Sequence, residues 1–209
     1  MTAQDSEETR AQAAQVVAAG GVIAFRTDTF YGLGADPFNR AALSRVNSLK
    51  GRDGGKPILV VISDAAEAGR FIADDSALFN SISAQYWPGA LTIVVKARPE
   101  VPDELTAGSL TIGLRLPDDE SVRSLIRACG GALTATSANL AGEPPARTAE
   151  EVSRSFPRGL DLIVDGGKSR ADKPSTVLDL SNEHARLIRE GAVSRSELQE
   201  ILREFGEEI

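Results

Sequence analysis

Sulfur and imidazole are nearly missing from this 209-residue chain, which has one cysteine, Cys129, one histidine, His184, and one methionine, Met1. A single cysteine excludes an internal disulfide and any multi-cysteine zinc site, and one histidine beside it leaves no usual zinc ligand set. No apolar run approaches transmembrane length, and residues 1–10 are polar and acidic, unlike a signal peptide, so a cytoplasmic address with no membrane contact is expected. Internal repeats and low-complexity tracts are missing too. The formal net charge of -7 argues against nucleic-acid binding over the whole surface, so any RNA contact needs a local basic face. Two familiar phosphate motifs are also lacking. Gly55-Lys56 resembles the end of a Walker A loop, but Lys50 stands where its first glycine belongs and Pro57 where Ser or Thr should follow. Gly32-Leu33-Gly34 lacks the third glycine of a dinucleotide fingerprint.

What is there is organised around residues 26–34, Arg-Thr-Asp-Thr-Phe-Tyr-Gly-Leu-Gly, and the basic segment 50–56. The first follows the apolar run Val22-Ile23-Ala24-Phe25, so its polar groups are expected where a buried strand opens into a loop. Asn39 can cap a helix whose apolar positions Leu43, Val46 and Leu49 recur at helical spacing, with Gly51 as its stop. That helix carries Lys50, Arg52 and Lys56 to its C-terminal end, beside glycines, a combination suited to a polyanion.

Other helices are expected over residues 6–19, 64–73, 75–87, 118–129, from the capping box of Thr148 and Glu151 onward, and from Ser194 to about Phe205. Strands are expected over 57–62, 91–95, 111–116, 133–136, 160–164, 175–180 and 185–189. With 42% hydrophobic residues, the chain can bury one sizeable core. Helices and strands alternate early and strands cluster late, which predicts an α/β or α+β single domain over residues 1–209, its core at about 10–203, with no second domain.

Several pieces in order resemble one family. Thr-Asp-Thr-x-Tyr-Gly-Leu from Thr27, Lys-x-Arg at Lys50 and Arg52, Trp-Pro-Gly from Trp87, Arg115 with Pro117, Ser-x-Asn at Ser137 and Asn139, Ser-Thr-Val from Ser175, and Arg-x-Gly at Arg189 look like the YrdC/TsaC family of threonylcarbamoyl-adenylate synthases. The resemblance implies a twisted, open, mixed β-sheet flanked by helices, with a concave basic face. It implies a nucleotidyltransferase that joins L-threonine, bicarbonate and ATP into L-threonylcarbamoyl-AMP and releases pyrophosphate. A partner transferase complex would then modify adenosine beside the tRNA anticodon. Carried over by position, Thr29, Arg115, Ala135 and Ser175 would hold threonine. Arg52, Lys56, Thr111, Ser137, Asn139 and Arg189 would hold ATP, and Lys50 with Arg52 would be catalytic. Magnesium would arrive with ATP, without a dedicated protein site.

Three positions depart from the pattern: Arg26 where many relatives have proline, Val61 where some have a histidine near threonine, and Pro145 where a serine helps hold nucleotide. Plainer readings compete. Residues 27–29 could be turn formers, Lys50, Arg52 and Lys56 a solvated helix end, Arg115 an edge-strand charge, and Ser137 and Asn139 caps. Two other functions are open as well: a non-catalytic binder of double-stranded RNA or tRNA, and a domain handling carbamoyl adenylate.

Overall fold

Burial on both faces shapes the strand that follows the first helix. In the computed structural model, which describes residues 1–51, 56–140, 142–169 and 171–209, Val22 and Ala24 enter one apolar core while Ile23 and Phe25 enter a second. The period of two in a strand makes such a split possible. Among the described residues, seven helices and two sheets are arranged around these cores as follows, in chain order.

The chain begins with β1 (Thr2–Gln4), α1 (Glu7–Ala18), β2 (Ile23–Arg26), β3 (Tyr31–Gly34) and α2 (Arg40–Leu49). After β4 (Val60–Ile62) come a 3-10 turn at Ala65–Arg70, α3 (Ala77–Tyr86), β5 (Leu91–Lys96), α4 (Asp103–Thr106) and β6 (Thr111–Arg115). Then follow α5 (Glu120–Ala128), β7 (Ala132–Thr134), β8 (Thr136–Ser137), α6 (Ala149–Ser155), β9 (Leu162–Asp165), β10 (Thr176–Asp179), β11 (Arg186–Arg189) and α7 (Arg195–Glu204).

The mixed α/β architecture is the expected one, but its strands divide between two hydrogen-bonded sheets. One has the order β1-β9-β2-β3-β8 and the other β11-β10-β5-β6-β4-β7, each with parallel and antiparallel neighbours. Between β7, in the second sheet, and β8, in the first, the chain passes from one sheet to the other within a few residues. Thr134 at this crossing is fully buried: its hydroxyl receives the Ala35 amide and donates to the Leu33 carbonyl, while its amide donates to Ala35. The next amide, Ala135, donates to Leu59. The Thr134 hydroxyl and the amides of Thr134 and Ala135 are thereby paired, as burial of a crossing requires.

The second core lies under α1 and α5, where Val17, Leu125 and Ile126 meet Phe25, Leu133 and Val164. The first takes Leu43 and Val46 of α2, Ile82 of α3 and Leu198 and Leu202 of α7. Asn39 caps α2 through its side chain, accepting the Ala42 amide at 3.0 Å, and Gly51 ends it at φ +60°. Ser194 and Glu197 form the expected capping box. The box expected at Thr148 is half formed, since the Glu151 carboxylate accepts the Arg147 amide instead.

Two expectations are corrected. Residues 31–34 form β3 rather than a loop, and Gly34 belongs there because a Cβ would stand 2.7 Å from the Phe25 ring across the hairpin. The polar N-terminus contributes β1, whose pairing with β9 comes from backbone groups and leaves no apolar pattern to read. No helix among the described residues is long and apolar enough to cross a membrane.

Candidate active site

The tip of the β2–β3 hairpin closes on itself. The Thr27 hydroxyl donates to the Phe30 carbonyl at 2.7 Å and accepts the Thr29 amide at 3.1 Å, while the Thr29 hydroxyl lies 3.0 Å away. This places two hydroxyls and the Asp28 carboxylate against the end of β6, where Arg115 is 3% exposed. Its Nη1 donates to Thr29 Oγ1 at 3.1 Å and stands 3.0 Å from Asp28 Oδ1, and its Nη2 donates to Thr27 Oγ1 at 3.3 Å. The Nε of Arg115 is buried without a partner among the described residues. Burial pushes the Asp28 carboxyl upward and Arg115 downward from their ordinary values, while each charge opposes the shift of the other. A buried guanidinium needs such a counterion.

A second guanidinium faces the same space. Arg189, at the end of β11, donates from Nε and Nη2 to the Ser175 carbonyl at 3.1 and 2.8 Å and from Nη2 to Ser175 Oγ at 3.3 Å. Burial, and then the positive charge of Arg115, lower its pKa. Both arginines, with Thr27, Thr29, Ala135, Ser137 and Ser175, line a cavity of about 530 Å³. Its wall is completed by apolar or backbone surface from Gly32, Pro57, Leu59, Pro145 and Pro174. Two cations that repel one another across hydroxyl donors make a binding site for anionic oxygens.

The family model for Sua5/YciO/YrdC, described as "Telomere recombination", matches residues 15–191. The chain belongs to the Sua5/YciO/YrdC family. It is 40% identical to a threonylcarbamoyl-AMP synthase of Thiobacillus denitrificans over 78% of this chain and 86% of that one. It is 33% identical to the synthase of Bacillus subtilis over 92% of this chain, but spans only 56% of that longer relative. Among solved structures, Pyrococcus abyssi Sua5 complexed with L-threonine superposes at a TM-score of 0.91 and 29% identity, covering 97% of this chain and 60% of that one.

This member of the Sua5/YciO/YrdC family gathers six of the sequence-selected residues on one wall: Thr29, Arg115, Ala135, Ser137, Ser175 and Arg189. Lys50 and Asn139 stand behind it. The Lys50 ammonium, expected at an exposed helix end, is buried, with the residue 1% exposed. It donates to the Ser137 and Asn139 carbonyls at 2.5 and 2.6 Å and to Asn139 Oδ1 at 2.9 Å, with Ser137 Oγ at 3.4 Å. Asn139 spends its amide on the Glu143 carbonyl. Lys50 therefore ties the end of α2 to Ser137 at the end of β8 and to Asn139 just beyond it.

Lys56 is exposed and immediately precedes Pro57 of the cavity wall. Thr111 is on the same face of β6 as Arg115, at the strand's other end, and its hydroxyl shares a hydrogen bond with Ser109 at 2.9 Å. Arg52 lies outside the described residues. Of the departures, Val61 is fully buried in the second core and does not line the cavity, whereas Leu59, two residues earlier, does. Pro145 stands in the wall. Arg26 pairs with Asp119 at 2.6 Å, away from the cavity. Thr27 and Asp28 read from the sequence as part of a binding motif or as turn formers, with no individual role; the rule that a buried arginine requires an acid would have pointed to Asp28 once Arg115 was known to be buried.

Proposed function

We propose that this chain makes L-threonylcarbamoyl-AMP from L-threonine, bicarbonate and ATP, with pyrophosphate and water as the other products. The observation that carries this reading is the pairing of Arg115 and Arg189 on one cavity wall, in a family whose curated relatives bear that activity as their name. Threonine's amine and bicarbonate combine to a carbamate with loss of water. The carbamate oxygen then bonds to the α-phosphorus of ATP as the bond from that phosphorus to the pyrophosphate oxygen breaks. All of these partners are anions, so the demand on the protein is to neutralise and align them. Arg115, with its unpartnered Nε and its planar fork, suits the threonine carboxylate, and Arg189 suits phosphate oxygens. The hydroxyls of Thr29, Ser137 and Ser175 supply directional hydrogen bonds around them.

No side chain need act as a nucleophile in this scheme. Burial pushes the Cys129 thiol up to about 12, which leaves it protonated at neutral pH. Among the described residues no three of His, Cys, Asp and Glu gather as metal ligands. Magnesium brought by ATP would then be held by phosphates and water, where it would offset phosphate charge. Lys50 and Asn139 serve the reading by holding Ser137, and Arg52, Lys56 and Thr111 are assigned to the nucleotide. The product would go to a transferase acting on tRNA.

The test is mass spectrometry of the products from ATP, threonine and labelled bicarbonate, alongside pyrophosphate release. Label in an adenylate, with release that requires both threonine and bicarbonate, is expected. Release that ignores threonine would overturn the proposal, and turnover of carbamoyl phosphate in its place would point to carbamoyl-adenylate chemistry instead.

A further inference from the structure

Thr92 lies outside the cavity lining, yet it touches a residue within it. On β5 it is 1% exposed, and among the described residues its hydroxyl has one partner, Ser175 Oγ at 3.0 Å. Geometry alone allows either oxygen to donate. Burial decides the direction. If Ser175 donated, the Thr92 hydrogen would be buried without an acceptor, which is unfavourable. Thr92 therefore donates. Ser175 Oγ also receives Arg189 Nη2 at 3.3 Å, and a guanidinium can only donate.

Two donors thus occupy both lone pairs of the Ser175 hydroxyl oxygen. Its own hydrogen has no acceptor among the described residues, and the residue lines the cavity. We infer that Thr92 is a positioning residue that commits Ser175 to donate its hydroxyl hydrogen into the cavity, toward an acceptor oxygen of an anionic ligand. The inference rests on the proposed reaction, in which Ser175 belongs to the threonine end of the site. Thr92 is held in place by the register that pairs it with Val177 of β10, while the next residue, Ile93, pairs with Leu114 of β6. Without that donor the Ser175 hydroxyl is free to turn toward residue 92 or to keep its hydrogen unaligned.

The experiment compares wild type with Thr92→Val, which keeps the shape and removes the donor, and Thr92→Ser, which restores it. Steady-state pyrophosphate release is measured against threonine at saturating ATP and bicarbonate, and then against ATP. Thr92→Val is expected to raise the KM for threonine about tenfold, the equivalent of about 1.4 kcal/mol, with the KM for ATP little changed. Thr92→Ser should recover most of the loss. In a Ser175→Ala background, Thr92→Val should add nothing, because its action passes through Ser175. An unchanged threonine KM in an active Thr92→Val enzyme, or equal losses in both backgrounds, would overturn the inference while leaving the reaction standing. Wild type that shows no threonine-dependent release would overturn the reaction, and this inference with it. A variant too unstable to assay transfers the question to Thr92→Ser and to Thr92→Cys, whose weak thiol donor should give an intermediate threonine KM; equality with wild type would count against the inference.

Discussion

Replacing Lys50 separates a solvated helix end from a structural cross-link. Read as an exposed charge, Lys50→Ala would cost no more than about 0.5 kcal/mol. The fold gives a different answer, because the ammonium is buried and three oxygens of Ser137 and Asn139 depend on it at 2.5 to 2.9 Å. Removing it takes the donor from the Asn139 carbonyl and Oδ1 and leaves the Ser137 carbonyl with only the Asn139 amide, at about 1–3 kcal/mol per unsatisfied group and so about 3–5 kcal/mol together. For a chain of this size that corresponds to a fall of roughly 6–20 °C in the thermal midpoint. Lys50→Met retains most of the buried stem and should recover the packing part of the loss but not the hydrogen bonds. Urea unfolding followed by circular dichroism, with wild type and both variants in the same buffer, measures the difference. A loss below about 1 kcal/mol for Lys50→Ala would refute the cross-link. Activity should fall as well, through displacement of Ser137, and ligand saturation should restore part of the stability.

Two other changes probe separate parts of the fold. Gly191→Ala places a Cβ 2.3 Å from the Pro174 carbonyl oxygen and 2.7 Å from the Ser175 carbonyl carbon, both backbone atoms. It should cost about 1–3 kcal/mol and impair threonine-dependent turnover, read by thermal unfolding and pyrophosphate release; a fully stable and active variant would contradict the packing there. Asp119 shows the acid side of the stability profile. Its burial favours protonation, but the Ser121 hydroxyl, the Arg26 guanidinium and the Val122 amide outweigh that and hold its pKa below the ordinary value. The group therefore stabilises the fold above the unfolded-state carboxyl pKa, and that contribution is lost as pH falls through the lower folded value. Asp119→Asn should flatten the loss of stability below about pH 4, seen by unfolding across pH 2–6; an unchanged slope would show the Arg26 contact to be energetically idle.

Local pattern carried far at the helix ends. Asn39, Ser194 and Gly51 do in three dimensions what their spacing implies, since capping is settled within one turn of chain. The hairpin was harder to read: Tyr31-Gly32-Leu33-Gly34 looks like loop sequence, and Gly34 suits a strand there because Phe25 crosses so closely. Val61 illustrates the reverse problem. Its departure from the family pattern drew attention to the threonine pocket, yet alternation along β4 and the packing of Leu133 carry it into the second core.

By itself the amino-acid order determined the fold class, most of the helices and the set of motifs from which the site is drawn, because apolar period, caps and turn residues act over a few neighbouring positions. Tertiary structure alone decided which of those polar residues share a cavity. It made Lys50 a buried tie, gave Arg115 its counterion in Asp28 and set Thr92 behind Ser175. Burial and charge pairing depend on strands that lie far apart in the chain and become neighbours only when the two sheets form, so no local period encodes them.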